Sequence, residues 1–147
     1  MKRVLTSIIA VLLLLSVLGN VVMAALPETV FPNESSYFVS YLATAATGSD
    51  KGEIRVTITV RSAKSGLTQI GTSKIVVCRY DGTPIRTYYG TTANGLLSSG
   101  VFSYSYTYTI SNLEPGTSYY AEVTVIAADA SGSDTRVVTT NTVKAAS

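Results

Sequence analysis

The sequence holds few side chains that could carry out catalysis. It has no histidine and a single cysteine, Cys78, which excludes the usual nucleophilic triads and most zinc sites, since both depend on imidazole. A Ser–Lys or carboxylate-pair mechanism stays chemically open. However, the acidic residues considered for it all lie in predicted turns or at strand ends, where solvated side chains are expected: Asp50, Glu53, Asp81, Asp129 and Asp134. We therefore predict that the protein is not an enzyme.

The segment 128–134 is the one stretch with a pattern of metal ligands. Its spaced oxygen atoms and Gly132 are loosely like a calcium loop, but a third acidic ligand and the closing bidentate glutamate are missing. A plain hairpin turn explains the same residues. We therefore predict no metal and no cofactor, and we assign the polar side chains of this turn to contact with a partner.

Tyrosine is the residue type that stands out in the composition, with ten copies. Neighbouring residues of a strand point to opposite faces, so the pairs Tyr88-Tyr89 and Tyr119-Tyr120 each place one ring outward. Outward tyrosines suit binding because they offer a rigid contact area and a hydroxyl group. The predicted partner-binding surface joins such rings to the 128–134 turn: Tyr80, Tyr89, Tyr120, Asp129, Ser131, Ser133 and Asp134.

Alternation of apolar and polar residues predicts the elements that position these side chains. In Glu53–Arg61 and Val101–Ile110, every second residue is apolar or aromatic, which is typical of strands with one buried face. Seven strands are predicted, at 37–46, 53–61, 74–80, 84–89, 101–110, 119–127 and 135–143. Between them we expect a polar connection at 62–71, a two-residue hairpin at Asp81-Gly82, and loops at 90–100 and 128–134. Seven short strands separated by turns indicate an all-β sandwich.

The start of the chain has the pattern of a secretory signal. A basic start is followed by an apolar segment and by Val22-Met23-Ala24, which fits signal-peptidase cleavage. The predicted organisation is a signal-peptide helix at 1–24, an extended segment at 25–36, a β-sandwich domain at 37–143 and a tail at 144–147. The alternative is an uncleaved membrane anchor, although the unbroken apolar core of about 11 residues is short for that role.

Cleavage would change the charge balance. The full chain has 11 basic and 9 acidic residues, and loss of Lys2 and Arg3 leaves equal numbers of both. A neutral domain offers no electrostatic footprint for nucleic acid or for a membrane surface. One cysteine cannot form an internal disulfide, so the core must supply the stability. Cys78 is then either a small apolar strand residue or a free thiol for an intermolecular bond.

The stretch Thr107–Val143 resembles a fibronectin type III domain. The match is carried by Tyr108-Thr-Ile110-Ser-Asn-Leu113-Glu-Pro115-Gly116-Thr117-Ser-Tyr119-Tyr-Ala121-Glu-Val123-Thr-Val125, which is similar to that family's strand E, corner and strand F. The resemblance implies an immunoglobulin-like, fibronectin type III-like antiparallel sandwich. It also implies that Tyr119 sends its hydroxyl back to the upstream backbone.

In that alignment the core-facing side chains are Ile110, Leu113, Tyr119, Ala121, Val123 and Val125. The chain lacks the family's core tryptophan, whose space would fall to Ile58 or Val60. The whole chain, with Thr68-Gln-Ile70-Gly71 before a strand and an Asp81-Gly82 turn, also resembles small secreted proteins of unknown function in Gram-positive gut bacteria.

Three functions follow as hypotheses. The first is a secreted, non-catalytic module for protein interaction or adhesion at or outside the cell surface. The second is a carbohydrate- or cell-wall-binding module that uses tyrosine faces, against which the absence of tryptophan weighs. The third is a structural, self-assembling surface subunit in which an exposed edge strand recruits a second copy. The expected partner is an extracellular protein or glycan, without nucleic acid.

Signal cleavage gives a direct prediction. Mass spectrometry of the exported protein should show a chain that begins near Ala25, because the residues before it fit the cleavage pattern. A chain that keeps Met1-Lys2-Arg3 and stays with the membrane fraction would instead support the anchor.

Overall fold

The computed structural model describes residues 37–147. The predicted signal-peptide helix at 1–24 and the extended segment at 25–36 lie outside the described residues. Within the described part, the chain forms nine strands and no helix, and so no helix there is long and apolar enough to cross a membrane. The strands are β1 (Phe38–Thr47), β2 (Ile54–Ser62), β3 (Gln69–Arg79), β4 (Pro84–Tyr89), β5 (Leu97–Ser98), β6 (Ser103–Ile110), β7 (Ser118–Asp129), β8 (Gly132–Thr139) and β9 (Val143–Lys144).

Two antiparallel sheets pack around one core. The smaller sheet has the order β1-β2-β6, and the larger has the order β4-β3-β7-β8, with the two-residue strands β5 and β9 added to β3 and β7. The all-β, sandwich-like prediction is therefore confirmed for the described residues. Seven longer strands match the seven predicted ones, and the two short strands were not predicted.

The core is built from the alternating strands. The β2 residues Ile54, Val56, Ile58 and Val60 are all fully buried, as the period of two predicts. They pair with Ile110, Tyr108, Tyr106 and Tyr104 of β6, which confirms that these β6 side chains share one face. The larger sheet adds the inner side chains of β3 and β7. Burial of one such aliphatic side chain contributes about 1.5–3 kcal/mol before the entropy cost.

The corner before β7 has the predicted geometry. Tyr119 is 1% exposed, and its hydroxyl accepts a hydrogen bond from the backbone N–H of Glu114 at 3.2 Å. Gly116 has a φ of +74°, the left-handed conformation that glycine tolerates after Pro115. All six side chains expected in the core are buried: Ile110, Leu113, Tyr119, Ala121, Val123 and Val125.

β3 begins earlier than its sequence predicts. The sequence predicts a polar connection at 62–71, but Gln69–Thr72 already pairs with β7, and Ile70 is fully buried. Gly71, which suggests a break, is a strand residue here. A Cβ at this position would lie 2.3 Å from the carbonyl oxygen of Leu96, so only glycine permits this close approach.

The β3–β4 hairpin is wider than the two-residue turn expected at Asp81-Gly82. Its ends are joined by a bond from Arg79 N–H to the Thr83 carbonyl at 2.9 Å, and Gly82 donates back to the Arg79 carbonyl at 2.9 Å. Gly82 has a φ of +90°. The turn therefore holds Tyr80 and Asp81 at its centre, with Gly82 in the position that needs positive φ.

The β7–β8 hairpin has a shorter turn than the sequence predicts. The sequence predicts a hairpin loop at 128–134, yet the register continues to Asp129↔Gly132. The turn is short because the Asp129 carboxylate accepts bonds from the backbone N–H groups of Ser131 at 2.7 Å and Gly132 at 3.1 Å. The carboxylate thus satisfies backbone N–H groups within the turn itself, as aspartate side chains commonly do in tight turns.

The last residues return to the outer edge of β1. The side-chain amide of Asn141 donates to the Ala45 carbonyl at 2.9 Å and accepts from the Ala45 N–H at 2.8 Å. Lys144 lies in β9, and Ala145 is 1% exposed and bonded to Thr117 and Gly116. The segment 144–147, assigned to a tail from the sequence, thus packs against the domain.

Loss of the corner hydroxyl should destabilise the fold. Tyr119→Phe leaves the Glu114 N–H without its partner, and we expect a loss of about 1–3 kcal/mol in the free energy of unfolding. Denaturant unfolding measures the loss, with Tyr89→Phe on the exposed surface as the matched control. Equal stability of the two variants would show that the hydroxyl bond contributes nothing.

Candidate interaction surface

The outer face of the larger sheet carries the most prominent exposed apolar side chains of its strands. The register aligns one row across all four strands: Tyr89 of β4, Lys74 of β3, Thr124 of β7 and Val137 of β8. Tyr89 and Val137, at the ends of this row, are 70% and 66% exposed. The next row holds Thr87, Val76, Glu122 and Thr139. We call these two rows the outer-sheet surface.

Tyr80 lies beside this surface, in the β3–β4 turn. It is 75% exposed, and its backbone N–H donates to the Ser118 carbonyl at 3.1 Å, so the turn is held while the ring remains in solvent. In the same turn, bonds from the Thr83 N–H lower the pKa of the Asp81 carboxyl group. The structure thus places two of the three predicted tyrosines, Tyr80 and Tyr89, in solvent.

Tyr120 is in a different environment. It pairs directly with Cys78 across β3 and β7, is half-buried, and covers the thiol, which is 3% exposed. Burial raises the pKa of the Cys78 thiol, although a hydrogen bond with Tyr120 acts in the opposite direction. The same bond raises the pKa of Tyr120. Cys78 therefore stays a protonated, covered thiol at neutral pH, in agreement with a small strand residue.

The predicted turn residues are drawn into a separate polar cluster. One oxygen of Asp129 accepts a bond from the Tyr37 hydroxyl at 2.8 Å and from the Ser131 hydroxyl. The other lies 3.5 Å from the Lys64 ammonium, which also stands 3.9 Å above the Tyr37 ring. This Asp129 cluster joins the start of β1, the β2–β3 connection and the β7–β8 turn.

Charge and hydrogen bonding agree in this cluster. The bonds from Ser131 and Tyr37, with the nearby Lys64 charge, hold the pKa of the Asp129 carboxyl group well below its usual range. Desolvation acts against the charged form of Lys64, but the bond to Tyr37 and the charge of Asp129 raise its pKa overall. Both oxygens of Asp129 contact groups of the protein itself, so this side chain links three segments of the fold.

Asp134 and Ser133, the remaining predicted residues, point to opposite sides of β8. Asp134 forms an ion pair with Arg136 and has a side chain only 18% exposed. Ser133 is exposed and pairs with Ala128. Among residues 37–147, no group of three potential metal-ligating side chains is found. The structure therefore separates the predicted set. Tyr80 and Tyr89 are in solvent, Tyr120 is half-buried over Cys78, and the acidic residues of the turn are bonded within the protein.

Sequence reasoning missed Val137 and Lys74 of the outer-sheet surface. A usable signal was present, because Val137-Val138 is an adjacent apolar pair in a strand, like Tyr88-Tyr89. The same parity rule places one of the two valines outward. The pairing of Lys74 with Tyr89 also follows from the sequence, because a two-residue turn at Asp81-Gly82 places residue 74 opposite residue 89. The observed hairpin keeps this register despite its irregularity at Cys78.

Comparison with known proteins adds one partial likeness. No protein-family model matches the chain, and no curated protein matches it. Among solved structures, the X-ray structure of a Northeast Structural Genomics Consortium target is similar, with a TM-score of 0.46 and 12% sequence identity. The alignment covers 74% of this chain and 86% of that one.

The Asp129 cluster predicts a pH dependence of stability. The folded carboxyl group has a lowered pKa, whereas in the unfolded chain it titrates near its ordinary value of about 3.9. The unfolded state therefore binds more protons as the pH falls below about 4, and the stability contributed by Asp129 is full above that pH and lost below it.

Asp129→Asn should lower the melting temperature at pH 7 and flatten its decline between about pH 4 and pH 2, because the titrating group is gone. Thermal unfolding followed by circular dichroism across this range measures both effects. Asp50→Asn, at an exposed turn, is the matched control. An acid decline as steep in Asp129→Asn as in the parent protein would contradict the assignment.

Proposed function

We propose that this chain is a secreted, non-catalytic module of the fibronectin type III-like kind that binds an extracellular protein through its outer-sheet surface. The observation that carries the proposal is the row from Tyr89 to Val137, which leaves large apolar side chains in solvent across a rigid sheet. Export is supported by the signal pattern that ends at Ala24.

The strand order supports the finer assignment of the fold. A first sheet of β1-β2-β6 and a second of β4-β3-β7-β8 correspond to strands A, B, E and C′, C, F, G of fibronectin type III domains. The Tyr119 hydroxyl bond to Glu114 stands where immunoglobulin-like sandwiches have their tyrosine corner. Fully buried Ile58 and Val60 fill core volume in a chain without tryptophan.

The chemistry of the outer-sheet surface favours a protein partner. The exposed aromatic and aliphatic side chains at its ends would stabilise a complex when a partner buries them. Lys74 and Glu122 between them add charges of both signs. Because these residues lie on paired strands, little conformational entropy is lost when a partner orders them. A glycan site would be expected to offer a cluster of stacking rings, whereas Tyr89 stands alone in its row.

The test is capture of partners from the extracellular medium of the host, with the exported protein immobilised. We expect Tyr89→Ser combined with Val137→Ser to reduce capture of the bound protein at least tenfold, which corresponds to about 1.4 kcal/mol. Both positions are exposed, so the melting temperature should not change.

Leu42→Ser is the control, because Leu42 is 58% exposed on the outer face of the other sheet. Capture should be unaffected by this change. Equal loss in the control and in the double variant would contradict a specific role for the outer-sheet surface. Binding to a glycan array that the double variant abolishes would instead establish the carbohydrate-binding alternative.

A further inference from the structure

The strand β6 forms a free edge of the smaller sheet. Among residues 37–147 it pairs with β2 alone. The bond from Ser62 N–H to the Phe102 carbonyl, at 2.8 Å, follows the β2–β6 register and shows that the even-numbered residues of β6 are bonded to β2. The outward N–H and C=O groups therefore belong to the odd-numbered residues: Ser103, Ser105, Thr107 and Thr109.

The other three sheet edges carry features that oppose strand addition. The edge of β1 has a bulge near Phe38 and is capped at Ala45 by the amide of Asn141. The edge of β8 has the charged pair Asp134–Arg136 directed toward the inner side. The short β4 begins with Pro84 and has a register shift at its start. Bulges, inward charges, proline and short length all discourage edge pairing.

β6 has none of these features. It spans eight residues in an unbroken register with β2, and it contains no proline, glycine or charged residue. Its outer-face side chains are serine and threonine, and its inner-face residues are three tyrosines and Ile110. A regular, uncharged edge of this length is a template for another strand.

We propose that the occupant of this edge is β6 of a second copy of the chain, paired antiparallel about a twofold axis. With Tyr106 on the axis, Ser105 faces Thr107 of the second copy and Ser103 faces Thr109 of the second copy. Every outward backbone group of the four odd-numbered residues then finds a partner, and no charge faces another charge. The two three-stranded sheets become one continuous sheet.

The side chains of β6 complement themselves. Within the chain, Thr107 already bonds Thr57 of β2 through their hydroxyls at 2.9 Å, and Ser105 lies 3.4 Å from the Thr59 hydroxyl. Pairing of Ser105 with Thr107 of a second copy repeats this hydroxyl contact one strand further. The outer face of the joined sheet would be one ladder of serine and threonine.

Tyr106 gives a second reason for a second copy. Its ring faces the inner side of the sheet, opposite fully buried Ile58. The end of the ring lies against Gly95, yet the side chain is still 38% exposed at the free edge. Tyr104 on the same face is 7% exposed and donates its hydroxyl to the Gly95 carbonyl at 2.8 Å. Antiparallel pairing sets Tyr106 beside its own copy and covers this ring.

The mass of the purified protein in solution, measured by sedimentation equilibrium, tests the proposal. We expect twice the chain mass as concentration rises. Thr107→Pro should weaken dimerisation at least tenfold, because it removes an outward N–H that β2 does not use. Ser105→Lys should do the same by placing a charge on the edge. Thr44→Lys, exposed on β1 of the same sheet, is the control and should keep the dimer.

Hydrogen exchange supplies a second readout. The amides of Ser105 and Thr107 should become protected as concentration rises, whereas those of Tyr106 and Tyr108 are protected at every concentration by β2. A monomer at about 1 mM would overturn the proposal. So would a dimer that survives both edge variants while they remain folded. The outer-sheet variants at Tyr89 and Val137 should leave the dimer intact, so each proposal can fail without the other.

Discussion

The contact between the inner faces of β2 and β7 is the constraint on which the rest of the structure depends. Each strand contributes alternating side chains that are at most 1% exposed, from Ile54 to Val60 on one side and from Tyr119 to Val125 on the other. With one cysteine in the whole chain, no internal disulfide can hold the sheets together. The sheets stay joined because separating them would return this apolar surface to water.

This constraint also explains which parts of the fold can be predicted from sequence. The strands β2, β6 and β7 alternate strictly, so their inner residues and the Tyr119 corner follow from local pattern alone. The start of β3 does not, because Gly71 is indistinguishable from a turn glycine until the Leu96 carbonyl is placed beside it. Close approach between distant segments leaves no signal in the local sequence.

In the candidate surface, too, local pattern predicts some features, whereas others depend on contacts between distant segments. Parity within a strand predicts that Tyr89 lies outside while Tyr88 packs inward against Tyr108, with ring centroids 5.2 Å apart. Parity does not predict that Asp129 is bonded internally, because its partners Tyr37 and Lys64 are far away in the chain. Nor does it reveal that Tyr120 is half-buried and lies over Cys78, since that pair exists only once β3 and β7 are in register.

The amide of Asn141 has a kinetic consequence for the molecule. It closes the edge of β1 at Ala45, so the first strand of the described domain is completed by a residue 96 positions further along the chain. Ala146 likewise bonds Glu53 and Gly52. Contacts that span most of the sequence give a high contact order and slow folding. The described domain therefore completes its fold only when residues 141–146 lie beside its first strand and beside Gly52 and Glu53.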